Sequence, residues 1–166
     1  MNFRIEQRIP APLAAVEAAL LDSDFVAATA DLPKLGAAEL LENERDGDGD
    51  RAHQRIRYRF TAPLSGAVTH VVDPAKLTWV DDATYDLTSH TSRHRILPDN
   101  YADRLQAAYD VILEPLGDST RRLVTGDLTV HVPLVGGRVE RAIVDGLEDH
   151  ANAEAELLGR WIAERS

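Results

Sequence analysis

The sequence predicts an α+β fold in which a curved antiparallel β-sheet wraps around one long C-terminal α-helix, with two short helices after the first strand. Three stretches carry this expectation. The chain closes with a β run, Leu128-Thr-Val-His-Val-Pro133, a tight turn, Leu134-Val-Gly-Gly137, and an amphipathic helix from Arg138 to about Glu164. From about Gly36 to Pro133 it reads almost throughout as alternating strands, most strictly over residues 51–60. An opening strand runs directly into Pro10-Ala-Pro12 and helical spacing. One long helix set against one antiparallel sheet buries its apolar stripe on the concave face, and that arrangement encloses a space. Whether the space is filled decides what the protein does.

Each element has its own signal. Phe3, Ile5 and Ile9 alternate with Arg4, Glu6 and Arg8, marking a half-buried strand that Pro10 and Pro12 end. Pro12 suits the first turn of a helix, where its missing N–H costs nothing, and Leu13, Val16, Leu20 and Leu21 follow at helical spacing. Ser23 or Asp24 caps a second short helix carrying Phe25, Val26 and Leu32, stopped by Pro33 and Gly36. A strand from Ala37 to Asn43 leads into Asp46-Gly-Asp-Gly-Asp50, a hairpin turn by composition. On the return strand Ala52, Gln54, Ile56, Tyr58 and Phe60 share one face, and Arg51, His53, Arg55, Arg57 and Arg59 share the other. A slip of one residue would bury the arginines, so the register is set. Residues Ala67 to Val72 suit either a short helix or a strand. Further strands are expected at Leu77–Leu87, Ser89–Leu97, Leu105–Leu113 and Arg121–Val132, with turns at Pro98-Asp-Asn100 and Pro115-Leu-Gly-Asp-Ser119.

At 166 residues the chain reads as one domain, 1–166, long enough for a substantial core. A net charge of −10 argues against a nucleic-acid or anionic-membrane surface, since either needs a basic patch. The row Arg51, His53, Arg55, Arg57 and Arg59 is the one basic stripe, better explained by cross-strand pairing with Glu39, Glu42 or Glu44 than by nucleic acid. Zero cysteines exclude disulfides, thiolate catalysis and Cys-ligated metals, and fit a reducing compartment. The N-terminus lacks the continuous apolar core of a signal peptide, and no apolar run approaches the ~18 residues that span a bilayer, so a cytoplasmic protein is expected.

The opening strand with Pro10-Ala-Pro12 and its helix, together with Val132-Pro-Leu-Val-Gly-Gly-Arg-Val-Glu140 leading into the closing helix, resembles the helix-grip fold of the START/SRPBCC superfamily. That superfamily includes lipid-transfer domains, pollen-allergen-type proteins and polyketide aromatase/cyclases. The second string, with Trp79 in a middle strand and Trp161 near the end, is similar to a bacterial branch defined only as a domain of unknown function. The resemblance covers nearly the whole chain. It implies a sheet curved around the terminal helix and a cavity for an apolar small molecule, but no reaction, because one fold hosts many functions.

Candidate site residues come from positions where polarity intrudes on an inward face. In the closing helix Val139, Ile143, Leu147, Leu158 and Trp161 form one stripe, widened by Ala142, Gly146 and Ile162. His150 and Glu154 lie in the middle of it, one helical turn apart and therefore neighbours. Buried there, they need partners: each other, a strand residue, cavity water, or the polar part of a ligand. Two such groups fall short of the three ligands of a catalytic zinc site. His90, Ser92 and His94 alternate along one strand with Ile96, as a polar patch on a cavity wall or at an exposed sheet edge. Tyr58, Trp79, Tyr85 and Tyr109 share faces with apolar residues, and a ring with a polar tip suits either a core or a site that orients an apolar guest. The acidic turn at residues 46–50 is not a calcium loop, since Arg51 and Arg57 stand where glycine and glutamate are required. Gly136 and Gly137 read as a tight turn rather than a phosphate site, and no serine sits beside an evident histidine base.

No catalytic constellation, metal site or cofactor is therefore expected. The leading reading is a domain that binds or carries an apolar small molecule, lipid- or polyketide-like, lined by Tyr58, Trp79, Tyr85, His90, His94, Tyr109, His150 and Glu154. Two alternatives stand beside it. One is an aromatase/cyclase-like enzyme using His150 with Glu154, or His90 or His94, as acid and base. The other is an interaction module with a filled core, signalled by a space well under the ~300 Å³ of ordinary ligand sites.

Overall fold

The computed structural model describes the backbone of all 166 residues and every side chain except that of Ala37. In chain order the elements are β1 (Asn2–Ile9), α1 (Leu13–Leu20), α2 (Ser23–Ala28), β2 (Leu35–Arg45), β3 (Arg51–Phe60), α3 (Gly66–Thr69), β4 (Thr78–Asp86), β5 (Thr91–Pro98), β6 (Leu105–Leu116), β7 (Ser119–Val130) and α4 (Gly136–Glu164). The seven strands form one curled antiparallel sheet in the order β1-β7-β6-β5-β4-β3-β2. Every neighbour except β1 and β7 is joined by a sequential connection, so β2 through β7 is a continuous meander.

Several expected boundaries move. The second helix is capped by Asp22, whose side chain accepts from the Asp24 N–H, because any of three adjacent residues has the chemistry to cap. Residues 66–69 form one helical turn. His90 precedes β5 with a positive φ of 58° and belongs to the turn, and β5 lies at the centre of the sheet rather than at an edge. Pro115 belongs to β6, opposite Thr120, and the hairpin narrows to Gly117 and Asp118. The terminal helix starts two residues early, at Gly136, where an added Cβ would collide with the Val130 carbonyl oxygen.

The strict alternation of β3 is realised. Arg57 lies 3.7 Å from Glu39 and Arg55 lies 3.9 Å from Glu42 on the outer face, while His53 meets Glu42 at 3.6 Å. Glu44 takes no part among these pairs, and Asp99 supplies Arg57 with a further partner.

Helix α4 is pinned at both ends by separate apolar clusters. Val139, Ile143 and Val144 pack with Phe60, Val68, Leu77, Trp79, Leu105 and Leu128. One and a half turns beyond His150, Ala155 and Leu158 pack with Ile9, Val16, Phe25 and Leu113, so that α1 and α2 close this end of the sheet. Between the two clusters the helix presents its polar middle. Gly126 of β7 bears on the same region: it faces Tyr109 across the ladder on one side and Phe3 on the other, and an added Cβ would stand 2.5 Å from the Tyr109 Cβ. Gly126→Ala is expected to displace the Tyr109 ring and destabilise the fold by about 1–3 kcal/mol, measured by urea unfolding.

Candidate functional site

Between the two clusters lies a cavity of about 140 Å³. Strands β3 to β7, the middle of α4 and the two N-terminal helices all contribute to its wall. All eight residues named from the sequence border it: Tyr58, Trp79, Tyr85, His90, His94, Tyr109, His150 and Glu154. The alternation of the strands explains this, since each strand residue among them points to the concave face.

The cavity wall is apolar over most of its extent and polar in two places. The first is a hydrogen-bonded group on β4, β5 and β6. His94 Nδ1 lies 2.9 Å from Asp81 Oδ1, and Ser92 Oγ lies 2.8 Å from His94 Nε2. The Tyr109 hydroxyl donates to Asp81 Oδ2, and the Tyr109 ring stacks on His94 at 4.3 Å between centroids. Burial, reinforced by the Asp81 charge, raises the Tyr109 pKa well above the ordinary tyrosine value, so its hydroxyl stays protonated and donates. Tyr85 donates to Gln54 Oε1 at 3.3 Å and meets His94 edge to face. Ser92 therefore does sit beside a histidine base, contrary to the expectation from sequence; two residues apart on a strand is the spacing that puts them on one face.

The second polar place lies on α4. Glu154 does not hydrogen-bond His150, whose Nε2 stands 3.8 Å away. Its partner is Arg122 of β7, which is only 5% exposed. Arg122 also donates to Gln7 Oε1 at 2.8 Å and to the Ala151 carbonyl at 3.0 Å, tying β1, β7 and α4 at one point. Burial pushes the Glu154 carboxyl up, but the Arg122 charge, helped by His150, outweighs it and the net shift is downward. For His150 burial is the dominant effect and lowers the pKa, and its Nδ1 has no hydrogen-bond partner among the described residues.

His90 stands apart from both groups. Its Nδ1 lies 3.1 Å from Glu17 of α1, so it links the β4–β5 turn to the helices that close the cavity. The Tyr58 hydroxyl has no hydrogen-bond partner among the described residues, although the ring packs between Trp79 and His150. Sequence reasoning missed Asp81 and Arg122 altogether. No three His, Asp or Glu side chains converge as a metal requires among the described residues.

Residues 4–162 match the family described as Protein of unknown function (DUF2505). The chain belongs to that family. No curated protein is similar to this DUF2505 chain in sequence. Solved structures are similar in shape over nearly its whole length. The Thermus thermophilus protein TTHA0849 aligns with a TM-score of 0.70 at 18% identity, covering 100% of this chain and 99% of its own. A Streptomyces aromatase/cyclase aligns at 0.67 and 17% identity, covering 99% and 94%. A START superfamily protein from Mycobacterium smegmatis aligns at 0.57 and 16% identity, covering 99% of both chains. The DUF2505 chain thus has the helix-grip fold that these structures share. No helix among the described residues is long and apolar enough to cross a membrane.

Removing one member of a buried ion pair strands the other. Arg122→Met is expected to cost about 3–5 kcal/mol in urea unfolding, whereas the double variant Arg122→Met with Glu154→Leu recovers most of that loss.

Proposed function

We propose that this protein binds a small apolar molecule of about one ring, bearing a polar group, in the cavity between α4 and the sheet. The observation that carries the reading is the space of about 140 Å³, apolar over most of its wall, which the Tyr58 ring and hydroxyl help to line. Cavities of about 150 Å³ accommodate a benzene ring, whereas drug-sized ligands occupy about 300–1,000 Å³. The volume therefore favours a compact guest over a lipid chain or a polyketide. It also falls below the size that signals an interaction module with a filled core; the polar groups on the wall support binding over that alternative. Burial and the charges of Glu154 and Asp81 raise the Tyr58 pKa, so the hydroxyl is a donor at neutral pH. His150, kept neutral by burial, borders the same cavity.

The second reading, acid–base chemistry by His150 with Glu154, has less support. Glu154 is engaged by Arg122 and held ionised, which suits an anchor more than a proton donor. Similarity to an aromatase/cyclase and to a START superfamily protein supports small-molecule handling in general and specifies no substrate. We place the protein in the cytoplasm, with no nucleic-acid partner, in keeping with its lack of cysteine and its net charge of −10.

Calorimetric titration with phenol tests the proposal. One site per chain is expected, with affinity about five- to tenfold weaker in Tyr58→Phe, the cost of one neutral hydrogen bond. Failure of phenol, benzyl alcohol and cyclohexanol alike to bind contradicts it.

A further inference from the structure

We propose that Ser92, His94 and Asp81 form a nucleophile–base–carboxylate relay that opens on the cavity and transfers the acyl group of a small ester, a reading that rests on the cavity admitting a compact guest. Ser92 Oγ lies 2.8 Å from His94 Nε2, and His94 Nδ1 lies 2.9 Å from Asp81 Oδ1. Both distances fall in the range of about 2.6–3.2 Å that a nucleophile, its base and the group orienting that base require. The direction of each bond follows from the inventory of donors. A carboxylate only accepts, so Nδ1 carries the proton. In the neutral ring Nε2 then presents its lone pair, and the Ser92 hydroxyl donates to it. That is the polarity a serine nucleophile needs, and triads are recognised by such geometry and not by sequence order.

The surroundings hold this arrangement. Tyr109 donates to the second oxygen of Asp81 and stacks on the imidazole, which fixes the ring in place and in its tautomer. Asp81 contacts no Lys or Arg among the described residues, so His94 is its nearest cationic partner once protonated. A buried carboxylate in that position stabilises the imidazolium that forms as serine loses its proton. Ser92, His94 and Asp81 all border the cavity. The ladder occupies the backbone N–H groups of the central strands, so the donor to a developing oxyanion must be a side chain.

In the acylation step Ser92 Oγ bonds to the ester carbonyl carbon while its proton passes to His94 Nε2. The carbonyl electron pair moves onto oxygen and returns as the bond from carbon to the leaving alcohol oxygen breaks, and that oxygen takes the proton from Nε2. Water completes the cycle. It gives a proton to Nε2 and its oxygen to the acyl carbon, Ser92 recovers its proton, and a carboxylic acid leaves. Asp81 orients the imidazole throughout and acts as the positioning residue.

The test uses reagents small enough for the space: vinyl acetate as substrate, methanesulfonyl fluoride as serine label, and phenol as an independent probe of the cavity. Peptide mass spectrometry is expected to find sulfonylation at Ser92, blocked by phenol. Proton NMR is expected to show acetate released from vinyl acetate about 10²-fold or more faster than by Ser92→Ala or His94→Gln, whose folding is checked by urea unfolding. If wild-type protein binds phenol but Ser92 is unlabelled, or if Ser92→Ala hydrolyses vinyl acetate as fast, the relay is overturned and the binding reading stands. If phenol does not bind at all, the binding reading itself fails, and labelling of Ser92 then decides the relay alone.

Discussion

Arg122 and Glu154 meet where the long helix crosses the sheet, in a place that an apolar contact would ordinarily fill. Two charges taken out of water are costly unless every remaining hydrogen-bonding position is met. Here Gln7 and the Ala151 carbonyl complete the guanidinium, so the pair is tolerated and the helix is held at its midpoint to β7 and β1. The apolar clusters grip α4 on either side of this point. With both ends packed and the centre polar, the side chains between them do not collapse into one continuous core. The cavity is the consequence of that arrangement.

The same logic explains why its wall is uneven. Apolar residues dominate, but Asp81, His94, Ser92 and Tyr109 form a chain of hydrogen bonds along one side, each satisfying the next. A fully connected group of this kind is stable in low dielectric, whereas one missing member leaves an orphan. The Tyr58 hydroxyl takes no part in that chain and stands on the same wall. A guest with one polar group has most to gain there. The separate bond from His90 to Glu17 ties the helical cover to the sheet and belongs to the cavity's closure more than to its chemistry.

Much of this was legible in the sequence because it depends on local period. The faces of β3 follow from strict alternation, and the helix stripe with His150 and Glu154 in it follows from spacing along α4. The resemblance to the helix-grip fold supplied the closure of the sheet. What stayed hidden depends on which strand lies beside which. Arg121 and Arg122 are adjacent and chemically alike, and only the pleat sends one to Glu6 and Glu114 outside and the other to Glu154 inside. Asp81 and Asp82 divide in the same way, Asp81 to His94 and Asp82 to His53 and Arg95. Ser92 and His94 had the right spacing to meet, but the carboxylate that orients the histidine comes from the neighbouring strand, and register alone brings it there.

The account stands on a space between the middle of α4 and the sheet, with a polar side against which a ring can be oriented. A crystal soaked in 4-bromophenol examines that space directly through the anomalous signal of bromine. The account predicts one bromine inside, bordered by Trp79 and Tyr109, with the phenol oxygen within hydrogen-bond reach of Tyr58, His150 or the Asp81 group. Bromine confined to the outer surface, with side chains closing the interior, would contradict it.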